Sequence, residues 1–392
     1  MPRLLASFGL YWHILLDLIL THVYVIAFLN AGFASIAGLL MAMDAMFRAT
    51  VMIFLSRLTV RFSLIARGRL SVLLRFSLIG IWLISVGQLP INSISLSVFL
   101  PFVLFKLILT ADASLSSDFI FLLEEYFHVS LSQSAAAMNI LVRSGTAIAP
   151  AVALLILTTR YASWVVDCLA LIIGVASTIL LKKVFFSSHD AHHFQKREHV
   201  SLYVIMKNSL MRWGLFSQFL VNLAFSGVAF LFLAKLKLHG DVFFNEITIL
   251  YTAFFVVQLV VLIFGDTIVP GSKPIDIAWM IGLCALLILI SGLSDNYMRL
   301  FVCGLIGFVY SLMLSAGQKI ITGRLRGKGF VEYSSWAQMI GRLTAFASTA
   351  VLGLMLGAGA PSSMLLVLCG GVGVLSAFLL GSMASGLIAV KS

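Results

Sequence analysis

The chain has 392 residues with a net charge of +11, and 61% of the residues are hydrophobic while only 10% are charged. Soluble domains are about 45–50% apolar and about 25% charged, so this composition predicts a protein that crosses a membrane many times. The composition excludes a secreted enzyme and a disulfide scaffold. It also argues against a nucleic-acid-binding module, because the basic residues lie at the ends of apolar segments and not on one soluble face.

Twelve apolar segments, each long enough to cross a bilayer as a helix, follow one another along the chain. Turns rich in Asn, Gly and Pro separate several of them, for example at residues 30–32, 270–274 and 359–361. The predicted spans cover residues 6–30, 33–56, 70–89, 93–116, 131–157, 161–184, 207–234, 243–265, 275–293, 298–320, 332–358 and 362–388.

The distribution of Lys and Arg predicts the orientation of these spans. Seventeen basic residues, Arg75 among them, fall on the side that carries both termini, four fall on the other side, and five fall within spans, which accounts for all 26. Cytoplasmic loops are enriched in Lys and Arg, so both termini are predicted to be cytoplasmic. The five basic residues within spans are Arg48, Lys106, Arg143, Arg212 and Arg342.

The longest hydrophilic segment lies near the middle of the chain and divides it into two halves. The predicted organisation is a six-helix half over residues 1–184, a cytoplasmic loop over 185–206 and a second six-helix half over 207–392. Two short matches at offsets of about half the chain support an internal repeat, a common feature of transporters. The first match pairs Arg143 with Arg342. The second pairs three polar residues on one face of the first span with three polar residues of the same spacing in the seventh span.

These two polar stripes are candidate cavity linings. His13, Asp17 and Thr21 are spaced i, i+4 and i+8, which places them on one face of the first span. A carboxylate in the bilayer is costly, so Asp17 is predicted either to titrate with protons or pair with a cation in a cavity, or to be satisfied structurally by a neighbouring helix. Residues with the same spacing in the seventh span are Gln218, Asn222 and Ser226.

Other charges within the spans are further candidates for the cavity. Asp44 and Arg48 are one helical turn apart and can pair with each other, either as a structural pair or as a gating pair that titrates with protons. Basic residues within a bundle suit an anionic substrate or a salt-bridge gate, or are neutralised by Asp44, Asp167 or Glu246. The basic candidates are Lys106, Arg143 and Arg342, and Asp112, nearly two turns after Lys106, is an acidic candidate for the same cavity.

Motifs for catalysis, nucleotides or metals do not occur in the sequence. It contains no GxSxG, HExxH or P-loop pattern, so neither an enzyme nor an ATP-driven pump is predicted, and no cofactor is expected. Four histidines, His189, His192, His193 and His199, lie in the central hydrophilic segment. Their charged neighbours favour a solvated linker over a metal site.

The twelve-span layout in two halves resembles the major facilitator superfamily over the whole chain. In the fifth span, Gly145, Ala149, Pro150 and Ala153 resemble the antiporter motif GxxxGPxxGG of that family, which implies an exporter. Small residues allow close helix packing, and the proline kinks the span.

Two further positions relate the chain to this family. Lys106 falls where exporters of the family often carry a buried Arg. The loop after the second span keeps the basic character of the family pattern GxxxDRxGRR, with Arg57 and Arg61, but lacks its Asp.

Together these features predict an all-α secondary transporter that alternates access between its two halves. The expected activity is proton-coupled efflux of a small amphipathic or anionic solute by a monomer in the bacterial inner membrane. Uptake of a siderophore, metal complex or lysolipid by the same fold remains an alternative, as does a sensor or assembly protein that transports nothing. A membrane-embedded enzyme is a further alternative, but no polar catalytic cluster supports it. Protons, the solute and the lipid bilayer are the only partners predicted.

Overall fold

The computed structural model describes residues 2–59, 64–87, 96–116, 160–187, 202–236, 273–293 and 328–389, together with nine isolated positions between 149 and 309. Every element in this part of the chain is a helix. The helices are α1 (Pro2–Asn30), α2 (Ala34–Thr59), α3 (Leu64–Gly87), α4 (Leu96–Ser116), α5 (Arg160–Ser187), α6 (Leu202–Lys207), α7 (Ser209–Phe225), α8 (Val228–Leu236), α9 (Pro274–Leu293), α10 (Lys328–Gly357) and α11 (Ser362–Ala389).

Most of the described helices coincide with predicted spans, with two differences. The third helix begins at Leu64 and not at residue 70, so it carries more of the basic loop than predicted. The seventh predicted span, residues 207–234, contains two helices, α7 and α8, while α6 ends at its first residue, Lys207. The predicted spans 131–157, 243–265 and 298–320 lie outside the described residues, apart from the isolated positions.

Local chemistry explains why several helices begin and end where they do. The side chain of Asn208 accepts hydrogen bonds from the backbone N–H groups of Leu210 and Met211, which caps α7 and separates it from α6. Gly32, with a φ of 90°, ends α1 in a conformation that few other residues adopt. Gly359, with a φ of 92°, makes the equivalent turn after α10. The predicted turns at residues 30–32 and 359–361 are therefore confirmed.

Helices that can cross a membrane make up much of the described structure. Six stretches in the described residues are long and apolar enough for this, and two shorter apolar helices accompany them. The six are Trp12–Asn30, Ala66–Gly87, Ser209–Ala234, Pro274–Leu293, Met339–Gly357 and Ser362–Gly386.

The chain forms two compact units. The first contains Met1–Gly32 and Phe47–Gln195, and the second contains Phe33–Met46 and Lys196–Ser392. Within the second unit the backbones of α2 and α10 come very close together. A Cβ atom built on Gly38 would lie 2.5 Å from the Cα of Gly353, so only glycines permit this contact. The division into halves at residues 184 and 207 remains a prediction.

The orientation of the spans can be tested directly. We expect a reporter fused after Ser392 to be cytoplasmic, because basic residues are concentrated on the side that carries both predicted ends. The measurement is the activity of paired fusions to alkaline phosphatase and green fluorescent protein, since the first is active only outside the cytoplasm and the second is fluorescent only inside. Phosphatase activity without fluorescence would contradict the predicted topology.

Candidate functional site

A buried ion pair joins α1 to α4 in the first unit. Asp17 is the sixteenth of the 29 residues of α1, and Lys106 lies midway along α4. The Lys106 ammonium donates hydrogen bonds to the Asp17 carboxylate and, at 2.6 Å, to the Thr21 hydroxyl. The relative exposures of the Asp17 and Lys106 side chains are each only 1%, so each charge is neutralised inside the protein. Asp17 is therefore paired with a cation on a neighbouring helix, and its titration with protons in a cavity stays a prediction.

Thr21 connects the pair to the helix that carries it. Its hydroxyl donates to the main-chain oxygen of Asp17 at 2.7 Å while accepting from Lys106. The aromatic ring of Phe102, one turn before Lys106, lies 5.4 Å from the ammonium nitrogen. A ring face at this distance attracts a cation, which further stabilises the buried charge.

A second buried ion pair joins α3 to α4. Asp112 accepts a hydrogen bond from Arg75 Nε at 3.0 Å through one carboxylate oxygen and a hydrogen bond from the Ser71 hydroxyl through the other. Arg75 and Asp112 are both completely buried.

The position of Arg75 corrects a sequence-based assignment. The distribution of basic residues places Arg75 on the cytoplasmic side, but it is the twelfth of 24 residues in α3 and is fully buried. Both Arg75 and Ser71 belong to the site, and neither is among the predicted site residues. The sequence could have identified them, because the predicted span 70–89 contains both residues. An arginine well inside a span needs a buried carboxylate partner.

His13 lies next to both ion pairs. Its Nε2 atom is 3.8 Å from the Asp112 oxygen that Arg75 contacts, and it is one helical turn from Asp17 on the same face of α1. The predicted stripe of His13, Asp17 and Thr21 therefore faces α4. The sequence could not say which residues it faces, because Lys106 and Asp112 lie on a different helix, far along the chain.

Asp167 is one of the acidic residues that the sequence offers as a partner for the intramembrane cations. In the first unit its carboxylate instead accepts a hydrogen bond from the Trp82 indole at 3.0 Å, which links α3 to α5. Lys106 pairs with Asp17, a partner that the expected set of Asp44, Asp167 and Glu246 did not include.

The stripe on α7 forms an uncharged polar face in the second unit. The Asn222 amide donates to the main-chain oxygen of Gln218 at 2.8 Å, and the Ser226 hydroxyl donates to the main-chain oxygen of Asn222 at 2.6 Å. All three side chains are partly exposed. Gly341 of α10 lies against Asn222, and a Cβ atom there would be 2.9 Å from its amide nitrogen. Gly341 was not predicted, because only the packing of α10 on α7 reveals its role.

The remaining predicted site residues are described only in part. Arg342 lies on α10 and is partly buried, and Ala149 and Ala153 are completely buried. The structure describes the backbone but not the side chains of Asp44, Arg48 and Arg57 in α2. Arg61, Arg143, Gly145 and Pro150 lie outside the described residues.

The charged groups of the first unit are arranged as two ion pairs. Within the described ranges no cluster of three or more His, Cys, Asp and Glu side chains could hold a metal ion. The carboxylates of Asp17 and Asp112 are each hydrogen-bonded to a basic side chain. A proton or a charged ligand that binds to either carboxylate therefore competes with that basic side chain.

Comparison with known proteins identifies the fold of the chain. No family model matches the sequence, and no curated protein matches it significantly. Solved structures match along almost the entire chain. The crystal structure of the nucleoside transporter NupG superimposes with a TM-score of 0.66 at 11% identity, and covers 96% of this chain and 99% of its own.

The chain has the fold of major facilitator transporters. The human organic anion transporter MFSD10 matches with a TM-score of 0.65 at 13% identity, over 97% of this chain and all of its own. The fucose:proton symporter FucP of E. coli matches with a TM-score of 0.57 at 16% identity, over 97% and 98% of the two chains. The predicted fold class, twelve spans in two six-helix halves, is confirmed, and the chain is an integral membrane protein. At these identities the likeness establishes the fold and leaves the solute open.

Proposed function

We propose that the protein is a proton-coupled secondary transporter that exports a small amphipathic or anionic solute by alternating access. In this proposal it works as a monomer in the bacterial cytoplasmic membrane, with both termini in the cytoplasm. The observation that carries the proposal is the buried Asp17–Lys106 pair at the middle of two helices of a transporter fold. Charged residues inside a membrane are expensive and typically serve ion or substrate pathways.

The Asp17–Lys106 pair has the chemistry that proton coupling requires. Protonation of Asp17 removes its negative charge and weakens its hold on Lys106, which is then available for another partner. In the Arg75–Asp112 pair both carboxylate oxygens are held by donors of α3, one by Arg75 Nε and the other by the Ser71 hydroxyl. We therefore assign coupling to Asp17 and a scaffolding role to Asp112. Of the other candidates, we propose cavity or gating roles for Asp44, Arg48, Arg143 and Arg342.

The proposed direction of transport depends on the fifth span. Its resemblance to an antiporter motif, with Ala149 and Ala153 completely buried, supports close helix packing of the kind the motif provides. Nucleosides, organic anions and fucose are the solutes named for the structural neighbours. Representatives of these three classes are therefore the first solutes to test.

The test uses purified protein in liposomes that contain a pH-sensitive dye. We expect at least one of uridine, p-aminohippurate and fucose to move protons when it is added, and to leave preloaded vesicles faster when the outside is acidic. We expect Asp17→Asn to lower the solute-dependent proton flux by about tenfold or more, since the variant cannot exchange the proton. Asp167→Asn is the matched control, because it replaces an intramembrane carboxylate that is bonded to Trp82 and not to a cation.

Two results would count against the proposal. One is that none of the three solutes moves protons in wild-type vesicles and Asp17→Asn vesicles behave identically. The other is that Asp167→Asn lowers the flux as much as Asp17→Asn, because the effect would then not be specific to the ion pair. Faster uptake of the solute under an inward proton gradient would support a proton-coupled transporter, but one that imports its solute and does not export it.

A further inference from the structure

Two amide side chains on α7 have hydrogen-bonding capacity that the described part of the chain does not use. Asn222 Nδ2 donates to the main-chain oxygen of Gln218 at 2.8 Å and lies 3.4 Å from its side-chain oxygen. Within the described part of the chain, these bonds leave the Asn222 carbonyl oxygen and the Gln218 amide N–H groups without a protein partner. Both residues are partly exposed, and a primary amide can donate and accept hydrogen bonds at the same time.

Gly341 provides space beside these amides. A Cβ atom at this position would lie 2.9 Å from Asn222 Nδ2 and 3.6 Å from Gln218 Oε1, so the lack of a side chain allows the two amides their present positions. The neighbouring Arg342 leaves α10 about 100° further round the helix and does not share this direction. The only charged residue of α7 is Arg212, in its first turn, so the amides lie on an uncharged face.

We propose that Gln218, Asn222 and Gly341 form a binding site for an uncharged group that both donates and accepts hydrogen bonds, such as a primary amide, imide or lactam. The Gln218 amide donates to the carbonyl of the ligand, and the carbonyl of Asn222 accepts from its N–H. Because both protein groups are neutral, the site gains two hydrogen bonds without burying a net charge. This inference rests on the proposed transport function and specifies which part of the solute the second unit recognises.

Selectivity follows from the fixed donor and acceptor. A ligand without an N–H leaves the Asn222 carbonyl unpaired, and a site built on hydrogen bonds rejects such analogues strongly. A carboxylate accepts from Gln218 but is repelled by the Asn222 oxygen. Gly341 is a specificity-determining residue in this scheme, because any side chain there displaces the Asn222 amide.

The experiment uses a cysteine reporter that leaves both amides intact. Ser226→Cys lies one helical turn beyond Asn222 on the same face, and Ala224→Cys, at a fully buried position of the same helix, is its matched control. Both are made in the full chain after the four native cysteines have been replaced by serine. The measurement is the rate of modification by a charged, water-soluble methanethiosulfonate, with benzamide, N,N-dimethylbenzamide or benzoate present.

We expect the reagent to modify the cysteine at position 226 and not the one at position 224. Benzamide should slow the modification, and N,N-dimethylbenzamide and benzoate should bind about tenfold more weakly or worse, because each lacks the required donor. Gly341→Ala and Asn222→Leu should each abolish protection by benzamide. Gly371→Ala, a helical glycine with open space around it, should leave protection unchanged.

Each alternative result overturns the inference. An unreactive cysteine at position 226 shows that the face is closed to water, and equal protection by the two amides shows that hydrogen bonding is not what is recognised. Protection by benzoate alone shows an anion site, and protection by none of the three excludes the amide class. Preserved protection in a Gly341→Ala variant with normal thermal stability removes Gly341 from the site. Proton flux in the liposome assay is independent of these results, so the transport function can stand while this inference fails.

Discussion

Asp112→Asn is expected to lower the stability of the folded protein by about 3–5 kcal/mol, because it removes the carboxylate that neutralises the fully buried Arg75. The amide can still accept a hydrogen bond from Ser71 or Arg75, but it supplies no negative charge. The cost of leaving a cation in a low-dielectric interior is large compared with the total stability of most domains. The measurement is the thermal unfolding midpoint in detergent, together with the yield of folded protein.

A double variant separates a charge effect from a packing effect. In Arg75→Met with Asp112→Asn both charges are absent, so we expect most of the lost stability to return, as in other proteins where a buried ion pair is replaced by neutral groups. Asp167→Asn provides the matched single change and should cost less than about 1.5 kcal/mol, since the amide oxygen can still accept from Trp82. Equal stability of wild type and Asp112→Asn, or a double variant no better than the single one, would show that the Arg75–Asp112 pair is not required.

Gly38→Leu is expected to lower the free energy of unfolding by about 1–3 kcal/mol or more, because the leucine side chain has no room against α10. Even a Cβ atom would lie 2.5 Å from the Cα of Gly353 and 3.2 Å from the ring of Phe230. The first of these atoms belongs to the backbone of a helix, so it cannot move aside as a side chain does. The result is checked by the yield of folded protein and its unfolding midpoint in detergent.

Glycines without close neighbours provide the control for this prediction. A Cβ atom added to Gly371 in α11 or to Gly80 in α3 would have no neighbouring atom within 4 Å, and both residues lie within helices. Alanine at either position should leave stability unchanged or raise it by up to about 1 kcal/mol, because glycine is the weaker helix former. The prediction is refuted when Gly38→Leu is as stable as Gly371→Ala.

Much of the fold could be predicted from the sequence because membrane helices satisfy their backbone hydrogen bonds within one segment. Each span is therefore visible as a local apolar run, and its ends are visible where Gly, Pro or Asn occurs, as at Gly32 and Gly359. The same local pattern misled at Arg75, because a basic residue close to a basic loop has the same sequence environment as a residue of that loop.

The sequence by itself determined that this protein crosses a membrane, which helix faces are polar, and that Asp17, a carboxylate within a span, needs a partner or a proton. These properties depend on the composition and on the 3.6-residue period of a single helix, both of which are local. Only the tertiary structure decided that Lys106 pairs with Asp17, that Arg75 pairs with Asp112, and that Gly341 lies against Asn222. Such choices depend on which helices pack together and at what height, and no single helix carries that information.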